Sequence, residues 1–194
     1  MDAKKYVKSG IRIRAITYTA MIAAALCVIS PLTIPIGAVP LSLATFGVML
    51  GAYAAGPYIS AVACIIYLII GAAGLPVFSG FTAGIGRLAG PTGGYLIGYI
   101  ALALISGAFA GFAKGNRLVE LAGLLLGNIA LYAIGSVWLA LSAKISFGAA
   151  LAAGVLPFIA GDLLKIAAVM LAGGIIKNRI AKDRRISQDP GRGR

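Results

Sequence analysis

Two residues of opposite charge, Asp162 and Lys165, stand three positions apart inside an otherwise apolar run over residues 149–176. A charged side chain at the centre of a membrane span costs about 2.5 to 3.5 kcal/mol on insertion scales, so such residues face a cavity or one another. At i and i+3 of a helix both lie on one face. The carboxylate and the ammonium can then neutralise each other and keep hydrogen-bonding capacity for a ligand. A self-contained ion pair that pins this segment to its neighbours is the alternative. Pro157, two helical turns before Lys165, is placed to bend the segment and free backbone carbonyls toward a cavity.

A second pole lies earlier in the chain. Arg87 comes shortly before Gly90-Pro91-Thr92-Gly93-Gly94, a break followed by a helix start. The positive dipole end of that helix, its unpaired N–H groups and Arg87 together suit a small anion. Tyr95 and Tyr99, four apart, share the next face, and with Phe78 and Trp138 they are expected to wall an apolar pocket. For Trp138, anchoring at the membrane interface is an equal alternative. A small, mostly apolar carboxylate with a polar head fits this set of groups.

Catalytic chemistry is not assembled from the same inventory. The chain has no histidine, and between residues 15 and 176 its only carboxylates are Glu120 and Asp162. Paired-carboxylate and metal mechanisms therefore lack their groups, and neither a catalytic residue nor a cofactor nor a metal is expected. No GxxxxGK[ST] phosphate loop exists. The run Gly84-Ile85-Gly86-Arg87-Leu88-Ala89 only superficially resembles a dinucleotide fingerprint, since it lacks the strand, helix and downstream acid of a βαβ unit. Glu120 sits beside a polar loop and is expected to be solvated. Cys27 and Cys64 lie in apolar segments without metal-ligand spacing and read as small packing residues.

The elements that hold these groups follow from composition. Of 194 residues, 60% are hydrophobic and 11% charged, and the mean hydropathy is +0.99. A soluble domain carries about 25% charged residues to wet its surface; this surface must face lipid. Apolar runs and Gly/Pro punctuation divide the chain into six spans at 15–31, 39–56, 58–74, 91–113, 119–143 and 149–176. The fold class expected is an all-α integral membrane protein with six transmembrane helices. A basic flank (1–14) precedes the transmembrane domain (15–176), and a basic, disordered tail (177–194) follows it. The net charge of +12 comes largely from those flanks, which hold 12 of the 17 Lys and Arg. Basic flanks mark the cytoplasmic side and favour anionic lipid headgroups rather than nucleic acid. With six spans both termini are cytoplasmic, and the basic residues divide 14 inside to 2 outside.

Small residues stand where helices must approach closely: Ala20 and Ala24 in span one, and Gly98, Gly107 and Gly111 in span four. Ala20 and Ala24 either pack within the bundle or dock on a second membrane protein. Two external connections, SPLTIPIGAVP (30–40) and GLPVFSGFTAGIGRLAG (74–90), stay apolar while broken by proline and glycine. Irregular backbone of this kind is tolerated where protein buries it or a cavity is lined by it. Both loops are expected to fold over the external mouth as a lid, burying Leu75, Val77, Phe78, Phe81, Ile85 and Leu88.

Residues 71–99, GAAGLPVFSGFTAGIGRLAGPTGGYLIGY, together with the VPLSLATF run within 34–50 and FIAGDLLK at 158–165, closely resemble BioY proteins. These are the biotin-specific substrate-binding (S) components of energy-coupling factor (ECF) transporters. The resemblance covers most of residues 15–176. It implies a multi-pass protein of a prokaryotic cell membrane that captures biotin from outside. It also implies a membrane-embedded coupling (T) protein and two cytoplasmic ATPases as partners, with Ala20 and Ala24 as the docking face. Under the same resemblance Asp162 and Lys165 match the ligand-binding pair, and Arg87 lies in the ligand-contacting loop. Biotin offers a valerate anion, a ureido group with two N–H donors and one acceptor, and an apolar thiophane. Asp162 can accept from the ureido N–H, Lys165 can donate to the ureido oxygen or to the carboxylate, and Arg87 with the start of span four can hold the carboxylate; which cation takes which end stays open.

Overall fold

The computed structural model describes residues 3–34 and 41–188, with side chains described over 13–34 and 42–173. Among the described residues there are eight helices: α1 (Ala3–Ile29), α2 (Ala44–Ala55), α3 (Pro57–Ala72), α4 (Ile85–Ala89), α5 (Gly93–Phe112), α6 (Arg117–Ala143), α7 (Phe147–Gly154) and α8 (Ile159–Gln188). Two short strands, β1 (Thr33–Ile34) and β2 (Leu41–Ser42), pair antiparallel, with Thr33 opposite Ser42. Residues 35–40 of the first external connection lie outside the described residues.

Local chemistry explains the breaks. Gly56, at a φ of 95° that suits glycine, separates α2 from α3, and Pro57 opens α3 where its missing N–H costs nothing. Asn116 caps α6 by accepting from the Leu118 N–H at 3.0 Å, and Ser146 caps α7 by accepting from Ala149 at 3.3 Å. Span six is not one helix: α7 and α8 meet at an angle of 53° across residues 155–158, the bend anticipated from Pro157.

Among the described residues, α5 and α6 are each long and apolar enough to cross a bilayer, and the bent α7–α8 pair joins them if counted as one span. Residues 13–29 of α1, together with α2 and α3, are shorter apolar helices. The 12 residues of α2 rise about 18 Å, less than the ~30 Å hydrocarbon core. The flank expected over 1–14 is, from Ala3 on, the start of α1. Likewise the tail set apart at 177 begins as a continuation of α8 to Gln188, because no glycine or proline interrupts residues 177–188. Residues 189–194 lie outside the described residues.

Small residues make the helix seams. A Cβ at Gly98 would stand 2.7 Å from Leu131 Cδ1, and one at Gly107 2.6 Å from the Pro57 backbone. On the facing helix, a Cβ at Gly127 would meet Leu102 Cδ1 at 2.9 Å. Gly111, by contrast, touches nothing in this way and takes no part in a seam. The main core gathers Leu26, Met49, Tyr67, Phe78, Leu102 and Leu124, and a smaller cluster of Tyr95, Leu139, Ala150 and Phe158 packs α7 against α5 and α6.

The connection over residues 74–90, expected to be a lid, is partly tucked in. Phe78 is fully buried and Val77 nearly so; a Cβ at Gly71 would run into the Phe78 ring. Leu88 is half-buried. Leu75, Phe81 and Ile85, expected to be buried, are instead 53%, 65% and 71% exposed. The reason is geometric: the loop folds into a turn at 78–82 closed by Phe78 N–H to Thr82 O at 3.0 Å, which sends Phe78 inward and Phe81 outward at a φ of 57°.

Candidate binding site

The site forms where the bend of the last span meets the start of α2. Asp162 sits in the first turn of α8, its N–H bonded to Phe158 O at 2.8 Å, a position in which the helix dipole favours negative charge. Lys165, one turn on, pairs with it at 2.7 Å (Nζ to Oδ1). Both are buried, at 5% and 9% exposure. Lys165 Nζ also donates to Ser42 O at 2.7 Å and to Thr45 Oγ1 at 3.0 Å. Thr45 in turn donates to Asp162 Oδ1 at 3.2 Å, and the Tyr132 hydroxyl donates to Asp162 Oδ2.

A lysine ammonium has three N–H donors, and here all three are engaged by protein oxygens. A ligand acceptor at Lys165 would replace one of those oxygens, whereas Asp162 Oδ2, which accepts one bond, can take another. Thr45, Ser42 and Tyr132 were missed as site residues. They lie up to 123 residues from their partner, and only the position of Ser42 and Thr45 inside VPLSLATF hinted at them.

Around the pair opens a small cleft lined by Thr45, Tyr95, Tyr99, Tyr132, Phe158 and the ion pair itself. A second space is lined by Phe78, Ser79, Arg87, Thr92, Tyr95, Leu96 and Tyr99. Tyr95 and Tyr99 line both and stand as the wall between them. Tyr95 is held by its neighbours, since a Cβ at Gly135 would overlap its ring and one at Gly154 its hydroxyl; that hydroxyl lies 3.3 Å from Ser136 Oγ. Thr92, at the N-cap of α5, faces the Arg87 compartment, so this helix start and Arg87 do share one space. Among the described residues Arg87 carries no side-chain hydrogen bond or ion pair. The two compartments thus differ in charge: one contains a mutually neutralised pair, the other a guanidinium with no partner among the described residues.

Trp138 lines neither compartment. Its indole N–H donates to Gly90 O at 2.9 Å and its Cβ packs on Gly94, so it fastens the end of the loop over residues 74–90. Ala20 and Ala24 are exposed on α1 while Ala23 and Leu26 turn inward. Glu120 is also not where expected: it is 3% exposed and accepts from Tyr53 Oη at 2.5 Å, a junction of α2 and α6 remote from the cleft. No cluster of metal-ligating side chains occurs among the described residues.

The chain is similar to proteins of known kind. A probable biotin transporter BioY of Pyrococcus horikoshii is 38% identical over 158 residues, covering 81% of this chain and 93% of that protein. The biotin transporter BioY of Thermotoga maritima is 37% identical over 140 residues, 72% of this chain and 82% of that one. These relatives are transporters rather than enzymes. Among solved structures, the S-component for biotin from an ECF-type ABC transporter superposes with a TM-score of 0.77 at 29% identity, covering 94% of this chain and 95% of that one. Residues 2–182 match one family throughout, and with the relatives above this settles the placement: the chain is a member of the BioY family.

Proposed function

We propose that this chain is a membrane protein that captures biotin from the external side and delivers it as the S component of an ECF-type transporter. The observation that carries the reading is the pair of adjoining compartments separated by Tyr95 and Tyr99, polar and neutral at Asp162–Lys165 and cationic at Arg87. Biotin has the matching division. Its ureido head needs an acceptor and a donor but carries no charge, and its valerate is an anion. The head belongs at the ion pair, where Asp162 Oδ2 accepts a ureido N–H and Lys165 exchanges one of its protein acceptors for the ureido oxygen. The carboxylate belongs at Arg87, whose guanidinium has no anionic partner among the described residues, and Phe78, Tyr95 and Tyr99 cover the apolar part between.

The same reading places six crossings in the membrane, with the bent α7–α8 pair as the last and both termini cytoplasmic; the distribution of Lys and Arg supports that orientation. Uptake against a gradient needs energy, and no nucleotide motif is present in the sequence. A coupling (T) protein and two ATPase subunits supply it, docking through the exposed Ala20 and Ala24 face of α1. Titration calorimetry on the purified chain without nucleotide tests the core of this proposal. Saturable heat with biotin is expected, and folded protein that shows none at micromolar ligand overturns it.

A further inference from the structure

A buried chain of hydrogen bonds leaves the ion pair and ends in the external loop. Lys165 Nζ donates to Ser42 O at 2.7 Å. The Ser42 hydroxyl donates to Ser30 O at 3.0 Å. Ser30 Oγ and Tyr67 Oη lie 2.5 Å apart, and Tyr67 Oη donates to Val77 O at 3.2 Å. Because Tyr67 spends its single proton on Val77, Ser30 must be the donor to Tyr67, so every bond in the series points the same way. Ser30 and Tyr67 are fully buried, and Ser42, Val77 and Lys165 no more than 9% exposed. The Tyr67 ring meets Phe78 edge-on with centroids 5.6 Å apart and Tyr99 at 6.4 Å. Gly80 N–H donates to Pro31 O at 3.1 Å beside it. Tyr67 lines neither compartment.

We propose that Tyr67 is a positioning residue that holds the loop bearing Phe78 and Arg87 in register with the Asp162–Lys165 pair, fixing the distance between the two poles of the site. The argument rests on the biotin reading above for its ligand, but the loop-holding role stands apart from it. A ligand that spans both compartments gains from the second pole only if that pole is already in place, since ordering a loop on binding subtracts from affinity. Among the described residues the backbone of the loop has few other anchors: Gly80 N–H to Pro31 O, Gly84 N–H to Gly71 O at 2.8 Å, and the Trp138 indole N–H to Gly90 O at its far end. Removing the Tyr67 hydroxyl strands two buried groups, the Ser30 hydroxyl and Val77 O.

Tyr67→Phe keeps the ring and its contacts with Phe78 and Tyr99, and Ser30→Ala breaks the same chain one step earlier. Two measurements are made on the full chain. Hydrogen–deuterium exchange without ligand should show faster exchange at the Phe78 and Gly80 N–H groups in Tyr67→Phe, and a smaller change in Ser30→Ala, which keeps the Tyr67–Val77 bond, with α5 and α6 unchanged. Calorimetry with biotin and biotin methyl ester should show affinity for the acid falling by roughly three- to tenfold, the scale of one buried hydrogen bond, with the ester nearly unaffected because it does not use Arg87. Equal losses for acid and ester, or unchanged exchange in the loop, overturn the positioning role. If the parent binds neither compound, the biotin reading fails while the exchange result still decides the role of Tyr67.

Discussion

Replacing Asp162 by asparagine is the substitution whose effect the structure defines most closely. Three donors converge on this carboxylate: Lys165 at 2.7 Å and Thr45 at 3.2 Å on Oδ1, and Tyr132 on Oδ2. An amide of the same shape has one acceptor oxygen, so at least one of those donors loses its partner, and the new NH₂ confronts either Tyr132 or the lysine. Lys165, 9% exposed, is left with only neutral oxygens around it. Breaking a buried pair in this way costs about 3 to 5 kcal/mol of stability. For the ligand, the loss is one hydrogen bond to a charged acceptor plus the disorder of its neighbours, roughly 2 to 4 kcal/mol, or about 30- to 1,000-fold in affinity. Glu120→Gln is the comparison. Glu120 is as buried as Asp162 and bonded to Tyr53, so the change should lower thermal stability yet leave biotin affinity within about twofold, as expected of a site without shared partners. Calorimetry and a thermal melt on both variants separate the two effects. Parent-like affinity in Asp162→Asn would show that the pair only braces α8 against α2, and the argument for a ureido site would fall.

Other outcomes follow from the same geometry. Arg87→Gln should shrink the preference for biotin over its methyl ester measured by calorimetry; an undiminished preference moves the carboxylate to Lys165 or to the start of α5. Ala20→Leu combined with Ala24→Leu should leave binding intact while abolishing co-purification with the coupling protein and uptake in cells, because the two alanines face outward and away from the cleft. Should binding and complex be lost together, that face packs within the fold. Gly71→Ala should drive a methyl group into the Phe78 ring and cost about 1 to 3 kcal/mol, read as a lower melting temperature and faster exchange across residues 77–82. A melt that matches the parent would mean Phe78 does not depend on that socket.

Which parts of this protein were legible before folding depends on the range of the interaction. Low charge and high hydropathy fix the membrane environment because they are properties of the whole surface, independent of how helices pair. The Asp162–Lys165 pair was legible because i and i+3 share a face of any helix, and the bend before it because Pro157 acts on its own backbone. The sharing of one face by Tyr95 and Tyr99 is equally local. Partners across the bundle are another matter. Ser42, Thr45 and Tyr132 reach the pair only because the start of α2 and the middle of α6 arrive at the bend of the last span. That Tyr95 and Tyr99 divide the site in two depends on Gly135 and Gly154 leaving room for Tyr95. Glu120 looked solvated from its place beside a polar loop, yet packing sets it against Tyr53, and Trp138 gives its N–H to Gly90 rather than to a pocket. Helical periodicity specifies which residues share a face; the packing of the helices decides what that face meets, and through it Lys165 gains three oxygen partners while Arg87 has none among the described residues.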